Sequence, residues 1–88
     1  MIVAGDFNVT WDNARYRALL DLGFADAAEQ AGAGFLPTYP TDRFGGQPVV
    51  AIDHVITRGF VATSMRTAAL PGSDHRAVVV RLVASSER

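Results

Sequence analysis

The sequence contains no cysteine and no lysine, and no long uninterrupted apolar run. Without cysteine the chain cannot form disulfides, thiolate zinc sites or a cysteine nucleophile. Its eight basic residues are all arginine, and together with nine acidic residues they leave a formal net charge of −1. A chain without a strong basic field is a poor candidate for binding long DNA or RNA. No apolar run approaches the roughly 18–20 residues that span a membrane, so no membrane segment is expected.

The length and the apolar content together predict a folded domain. The chain has 88 residues, of which 49% are hydrophobic, so it is not a disordered tail. It is one small domain or part of a larger one. A chain of this size can bury about 60–65% of the surface that it exposes when unfolded, which makes an independent core marginal but possible.

Apolar spacing predicts where the helices and strands lie. The short apolar run 2–4 stops at Gly5 and is typical of a central strand that is buried on both faces. Helical spacing over 13–22 predicts a helix with Asp12 as its N-cap and Gly23 as its C′ residue. The other predicted elements are a short helix over 24–31, a loop over 32–48, and strands over 49–56, 60–69 and 77–83. This order indicates an α/β or α+β fold with a mixed or antiparallel sheet and flanking helices.

Polar side chains stand at the ends of the predicted strands or inside them, where apolar residues are expected. A carboxylate inside an apolar strand is costly unless it has a partner, and active sites built on sheets collect at strand ends. The three clusters are Asp6 with Asn8, Asp53 with His54, and Asp74 with His75.

Each cluster also has a purely structural interpretation. Gly-Asp-x-Asn is a common turn sequence, and Asp74 with His75 is compatible with a loop cap. Asp53 is compatible with an ion pair to Arg58 or Arg81. His54 points to the opposite strand face from its neighbour and is read as structural. The remaining acidic side chains are interpreted as helix caps or solvated helix residues: Asp12, Asp21, Asp26 and Glu29.

Taken together, the clusters supply acids, an amide and a histidine, but no serine or cysteine in an activated setting. This set of groups fits hydrolysis by a water molecule, assisted by a metal ion. An aspartate can accept a proton from the water, and an asparagine can hold the water or donate to a developing oxyanion. A histidine that is oriented by a carboxylate can donate to a phosphate or a leaving group.

Three motifs, in this order along the chain, resemble those of the endonuclease/exonuclease/phosphatase superfamily, which has the deoxyribonuclease I-like fold. They are GDFN at 5–8, IDHV at 52–55 and SDHRAV at 73–78. Their order and spacing agree with the C-terminal half of that domain. The resemblance therefore implies that residues 1–88 form this half without the N-terminal half, as part of a four-layer β-sandwich.

The resemblance also implies a role for each motif residue in an in-line attack of water on phosphorus. Asp6 would position and deprotonate the attacking water, and Asn8 would orient that water. Asp53 would hydrogen-bond His75, which would bind the scissile phosphate and stabilise its charge.

A divalent metal and a phosphate ester are the ligands that the resemblance implies. Asp6, Asn8 and Asp74 would hold Mg²⁺ or Mn²⁺, directly or through water. The phosphate would meet Asn8, His75 and Arg76. Relatives of this kind act on nucleic acids, inositol phosphates or lipid phosphates, and the weak basic balance of this chain favours a small or lipid phosphate.

The family pattern is incomplete in this chain. The family's N-terminal half carries an asparagine and a metal-binding glutamate, and here the glutamates are Glu29, on a predicted helix, and Glu87, in the tail. We therefore expect weak metal binding, little activity from residues 1–88 alone, and self-association through an exposed half-sheet.

Two other readings remain open at this stage. The first is a non-catalytic binding or assembly module of the same fold. The second is a small globular domain whose polar clusters are only turns and caps. The sequence offers no prediction of localisation.

Overall fold

Two antiparallel sheets and two short helices make up residues 1–85, the part of the chain that the computed structural model describes. The predicted α+β class is confirmed, and the paired strands are antiparallel rather than mixed. Neither helix is long and apolar enough to cross a membrane. Glu87 lies outside the described residues. The elements are β1 (Ile2–Asp6), α1 (Ala14–Leu20), β2 (Ala25–Asp26), α2 (Ala27–Ala31), a 3₁₀ turn (Phe44–Gly46), β3 (Asp53–Thr57), β4 (Phe60–Ala68) and β5 (Ala77–Ala84).

Strand β3 organises the first sheet. It lies between β1 and β2 and pairs with both, while β4 and β5 form a separate two-stranded sheet. The register between β1 and β3 sets Asp6 opposite Asp53 and Gly5 opposite His54. The sheet therefore brings the first two polar clusters of the sequence to the same end of the same strand pair.

The apolar core lies between α2, β3, β4 and β5. Strand β5 alternates in the manner of a half-buried strand, so every second side chain turns toward the core. Small residues on α2 let the helix backbone approach the strands closely, which fills the space that larger side chains would need. The buried members are Ala27, Val55, Ala62 and Met65, and the partly buried residues packed on them are Ala28, Ala31, Ala33, Leu36, Val78, Val80 and Leu82.

Helix α1 begins one residue later than its predicted cap. Asn13, not Asp12, is the N-cap, because its extended backbone lets its side chain accept hydrogen bonds from the amides of Arg15 and Tyr16. Asp12 instead accepts a hydrogen bond from the hydroxyl of Thr10. The helix ends with Asp21 as its C-cap, so the predicted C′ glycine, Gly23, lies in the turn beyond it.

The second helix and the central strand are both shorter than predicted. Asp26 ends β2 and caps α2 with its side chain, so the helix occupies only the second half of 24–31. Gly32 closes the helix in the left-handed conformation. The strand expected over 49–56 starts at Asp53, because the carbonyl of Val50 is taken up by the loop amides of Thr38 and Tyr39.

The prediction that the first strand is central and buried is wrong for the described residues. Strand β1 is an edge strand that pairs only with β3, and all five of its residues are exposed. Ile2 and Val3 are 49% and 39% exposed. On β5, Val79 and Val83 turn away from the core and are 40% and 48% exposed. An open strand edge beside exposed apolar side chains is a surface suited to further packing.

Candidate active site

Asp53, the first residue of β3, lies between the other two members of the site. Its Oδ2 is 2.7 Å from Nδ1 of His75, which the loop before β5 carries. The other ring nitrogen, Nε2, is 3.6 Å from Oδ2 of Asp6. Neither Arg58 nor Arg81, the alternative partners considered from the sequence, forms an ion pair with Asp53 in the described chain.

Three carboxylates surround the His75 ring. Asp74, whose side chain is half exposed, places Oδ1 3.9 Å from Nε2. The hydrogen bond to Asp53 raises the pKa of His75 above its ordinary value of 6.5, and the charges of Asp53, Asp6 and Asp74 add to that shift, while partial burial opposes it. The imidazole therefore stays protonated to higher pH than a free histidine does. Because Nδ1 donates to Asp53, Nε2 is the ring atom available to a ligand.

Asn8 meets this group through its backbone rather than through its side chain. Its amide donates to Oδ1 of Asp6 at 2.8 Å, and it has a positive φ of 57°. Gly-Asp-x-Asn is therefore a real Asx turn, and the turn fixes the Asp6 carboxylate. In the part of the chain that the structure describes, the Asn8 side chain itself makes no hydrogen bond, so the structure does not bring it into contact with His75.

Arg76 lies beside the site and is held by a side chain of β4. Its Nε donates to the Thr67 hydroxyl at 2.9 Å. It lines a cavity of about 370 Å³ together with Asp53 and His75. Among residues 1–85 it forms no ion pair, so its guanidinium charge is available to an anion in that cavity.

His54 supports the loop that follows Asp6. Its Nε2 donates to the carbonyl of Val9 at 2.7 Å, and its ring lies 4.4 Å from Tyr16 and 5.5 Å from Phe7. The side chain is buried, with 6% exposure. Adjacent residues of β3 thus hold different parts of the site, because Asp53 hydrogen-bonds His75 and His54 hydrogen-bonds the loop that follows Asp6.

Asp26 is a buried helix cap rather than a solvated one. It is 5% exposed, accepts the Glu29 amide at 3.0 Å and accepts the Tyr16 hydroxyl. Burial of the phenol, reinforced by that hydrogen bond, raises the pKa of Tyr16 well above its usual range. The buried carboxylate is satisfied by both donors, which keeps its desolvation cost low.

A strap formed by residues 38–41 holds the loop that carries Asp74 and His75. The Thr38 carbonyl accepts the Arg76 amide at 2.7 Å, and the Thr41 amide donates to the Asp74 carbonyl at 2.9 Å. The Thr41 hydroxyl donates to the carbonyl of Ser73 at 2.7 Å. The Tyr39 ring packs 4.7 Å from that of His75.

Sequence reasoning missed this strap. Its residues lie in the stretch rich in glycine and proline that is predicted as a loop over 32–48. The contacts are long-range, through backbone groups, the Thr41 hydroxyl and the Tyr39 ring, and no residue spacing indicates them.

The comparison with known families agrees with this geometry. The family model described as Endonuclease/Exonuclease/phosphatase family matches residues 1–75. The chain belongs to this family. No curated protein and no solved structure matches it significantly. The endonuclease/exonuclease/phosphatase family is generally hydrolytic and acts on phosphate esters, so the match supports a phosphohydrolase-like assignment. It ends at His75, so Arg76 and β5 lie beyond the matched region.

The donor set of the site is compatible with the divalent metal that the endonuclease/exonuclease/phosphatase family typically requires. Asp6, Asp53 and His75 each offer a ligand atom, and these atoms lie within 4.8 Å of one another. Carboxylate oxygens are the ligands that Mg²⁺ and Mn²⁺ prefer. The excess of acidic over basic side chains around these atoms favours the binding of a cation.

We predict that Asp53→Asn lowers the pKa of His75, because the variant removes the largest cause of the upward shift. In the unaltered chain, protonation of His75 stabilises the fold fully below the unfolded pKa, and this stabilisation is lost as the pH rises through the raised folded pKa. The variant should show a smaller pH dependence, because only the charges of Asp6 and Asp74 still favour the protonated ring. NMR titration of the His75 ring in EDTA, with unfolding measured across the same pH range, checks both statements.

Asp21→Asn is the matched control for that titration, because it removes an exposed carboxylate that contacts neither His75 nor its partners. It should leave the His75 titration unchanged. An Asp53→Asn variant that titrates as the unaltered chain does would contradict the assignment of Asp53 as the main partner of His75.

We also predict that Thr41→Val loosens the His75 loop. The variant keeps the branched shape but removes the donor to the Ser73 carbonyl, which should cost about 1 kcal/mol of unfolding free energy. Amide exchange over 73–76 should become faster than in Thr41→Ser, which retains the hydroxyl. Equal exchange in the two variants would show that the hydroxyl is not what holds the loop.

Proposed function

We propose that the chain carries the C-terminal half of the active site of a metal-dependent phosphohydrolase. In this reaction an activated water attacks phosphorus in line and an ester or pyrophosphate bond breaks. The observation that supports the proposal is the convergence of Asp6, Asp53 and His75 in a member of the endonuclease/exonuclease/phosphatase family.

The two sides of the His75 ring would have different tasks. Nδ1 is held by Asp53, which fixes the orientation of the ring and favours the charged form. Nε2 then presents a proton toward the cavity that Arg76 also lines, where an anionic phosphate would gain charge-assisted hydrogen bonds from both side chains. This arrangement would stabilise the charge that develops on the phosphate oxygens.

Asp6 would act as the base. One of its oxygens is held by the Asn8 amide, and the other faces Nε2 of His75 and remains free to accept a proton from water. Asn8 would orient that water once its side chain is engaged by substrate.

Asp6 and Asp74, with Asn8, would hold the metal. Bound Mg²⁺ or Mn²⁺ would polarise the phosphate oxygens and lower the pKa of a bound water. Asp53 is committed to His75 by the shorter contact, 2.7 Å against 3.6 Å for Asp6, and we therefore assign it an orienting role rather than a ligand role.

The site would be completed by another part of the protein. Glu29 is the glutamate within the described residues, and it pairs with Arg17 at 3.0 Å instead of facing the site. Strand β1, which ends at Asp6, has one free edge. We propose that the N-terminal half of the domain pairs with this edge and supplies the missing metal ligand.

Charge argues for a small or lipid phosphate ester as the substrate. The net charge of −1 gives no extended basic surface for a polyanion. The anion-binding groups that face the cavity are Arg76 and His75, which suffice for one phosphate group.

We expect metal-dependent hydrolysis from a longer protein that includes the upstream half, and little from residues 1–88. The panel should hold a generic phosphodiester, nicked DNA, an inositol phosphate and a lipid pyrophosphate, each with Mg²⁺ and with Mn²⁺. In the longer protein, His75→Ala should lower kcat by about 10²–10⁴-fold, the usual contribution of a positioned proton donor.

Asp21→Asn is the control and should leave kcat unchanged. Rapid turnover by residues 1–88 would contradict the half-site proposal. If the longer protein hydrolyses nothing, or if His75→Ala changes nothing, the alternative of a non-catalytic binding or assembly module is favoured instead.

We further expect residues 1–88 to self-associate through the open edge of β1 and the outer face of β5. Light scattering should give a mass that rises with concentration, and Val79→Asp should reduce it because a charge then interrupts the apolar face. Leu22→Asp, at a side chain that is 66% exposed elsewhere, is the matched control. A monodisperse monomer at all concentrations would contradict this expectation.

A further inference from the structure

A second cavity, of about 470 Å³, is lined in part by Asp53 but not by Arg76 or His75. Asp53 and His54 line both cavities, so both cavities border the start of β3. The volume lies within the range of small-ligand sites. The proposed phosphate position, beside His75, belongs to the other cavity.

The walls of this second cavity are mainly apolar and include two large rings. Trp11 and Phe35 line it with 50% and 65% of their surfaces exposed, and Met65 lies deeper, at 9% exposure. Covering exposed aromatic surface is favourable, and both aromatic rings and thioethers make favourable contacts with another ring.

The charged groups of the cavity exclude a phosphate from it. Its ionisable lining is Asp26, Glu29, Asp53 and His54, and among the described residues no arginine lines it. Asp26 and Glu29 already have partners inside the fold. A second anionic group would be repelled here, whereas an uncharged group would not.

The Trp11 wall is held in place before any ligand arrives. The Arg17 guanidinium lies 5.6 Å from the centre of the indole ring and donates to the Trp11 carbonyl at 3.5 Å. The same guanidinium pairs with Glu29 on α2 at 3.0 Å. A wall that is already ordered loses little freedom on binding.

We propose that this cavity binds an uncharged aromatic ring that is carried by the phosphate ester whose phosphate lies at His75 and Arg76. The inference rests on the proposed function, since it takes the phosphate position from it. Such a ring could come from a simple aryl ester or from a nucleoside, and the shared chemistry is a flat, uncharged ring in the organic group that is esterified to the phosphate.

Trp11 is the single tryptophan of the chain, so its fluorescence reports directly on this cavity. We would titrate residues 1–88, at a concentration where light scattering shows one species, with phenyl phosphate, thymidine 5′-phosphate, glycerol 3-phosphate and inorganic phosphate. Phenyl phosphate should shift the emission and saturate, while glycerol 3-phosphate and inorganic phosphate should not. Tighter binding of thymidine 5′-phosphate than of phenyl phosphate would identify a nucleoside as the source of the ring.

Phe35→Ala should weaken phenyl phosphate binding by about fivefold to tenfold, because it removes one apolar wall. Leu22→Ala removes an equally exposed apolar side chain away from the cavity and should leave binding unchanged. Equal effects of the two variants, or an equal response to inorganic phosphate, would overturn the inference.

The same titration of the longer protein separates this inference from the proposed function. A response that disappears there would mean that another part of the protein fills the cavity, which also overturns the inference. If the longer protein hydrolyses glycerol esters with no Trp11 response, the inference fails and the function stands. If phenyl phosphate binds but no ester is hydrolysed, the function fails instead.

Discussion

The hydrogen bond between Asp53 and His75 is the contact on which the rest of the site depends. It joins the start of β3 in one sheet to the loop that leads into β5 in the other, at a distance of 2.7 Å. It forms only because β3 begins at Asp53 and because the strap over 38–41 folds the His75 loop back onto that strand end. Once it is made, the ring has one nitrogen committed and one directed toward Asp6.

Alternation along β3 lets one strand end support two loops. Asp53 holds the loop that carries His75, and His54 holds the loop that follows Asp6 through the carbonyl of Val9. Successive side chains of a strand point to opposite faces, so these two adjacent residues can each hold a different loop in position. The buried polar groups around His54 are all satisfied, and in the described chain no buried side-chain donor or acceptor lacks a partner. The site therefore rests on a rigid polar layer.

The sequence predicted what its local patterns encode. The strands predicted over 60–69 and 77–83 lie close to those bounds, because a glycine precedes the first and valine-rich apolar residues make up most of the second. The three polar clusters were found because acids are out of place beside apolar runs.

The cap at Asn13 was missed because Asp12 is an equally good cap by type, and only the backbone angles decide between them. The strap was missed because its hydrogen bonds, two between backbone groups and one from the Thr41 hydroxyl, join residues more than thirty positions apart, which no local pattern signals. The exposure of β1 was missed because its apolar residues indicate burial, and the described chain does not cover them.

The register of the first sheet places two negative charges close together, which lowers the stability of the fold. Asp6 and Asp53 are directly opposite each other on neighbouring strands, and like charges in that position destabilise a sheet. Asp74 adds a third negative charge near the same imidazole. A protonated His75 relieves part of this repulsion, which is the physical content of its raised pKa. An opposite charge at either aspartate would stabilise the sheet more simply. The repulsion that the fold retains, and the turn, the strap and the histidine that fix its geometry, support the proposed site for a metal cation beside a phosphate.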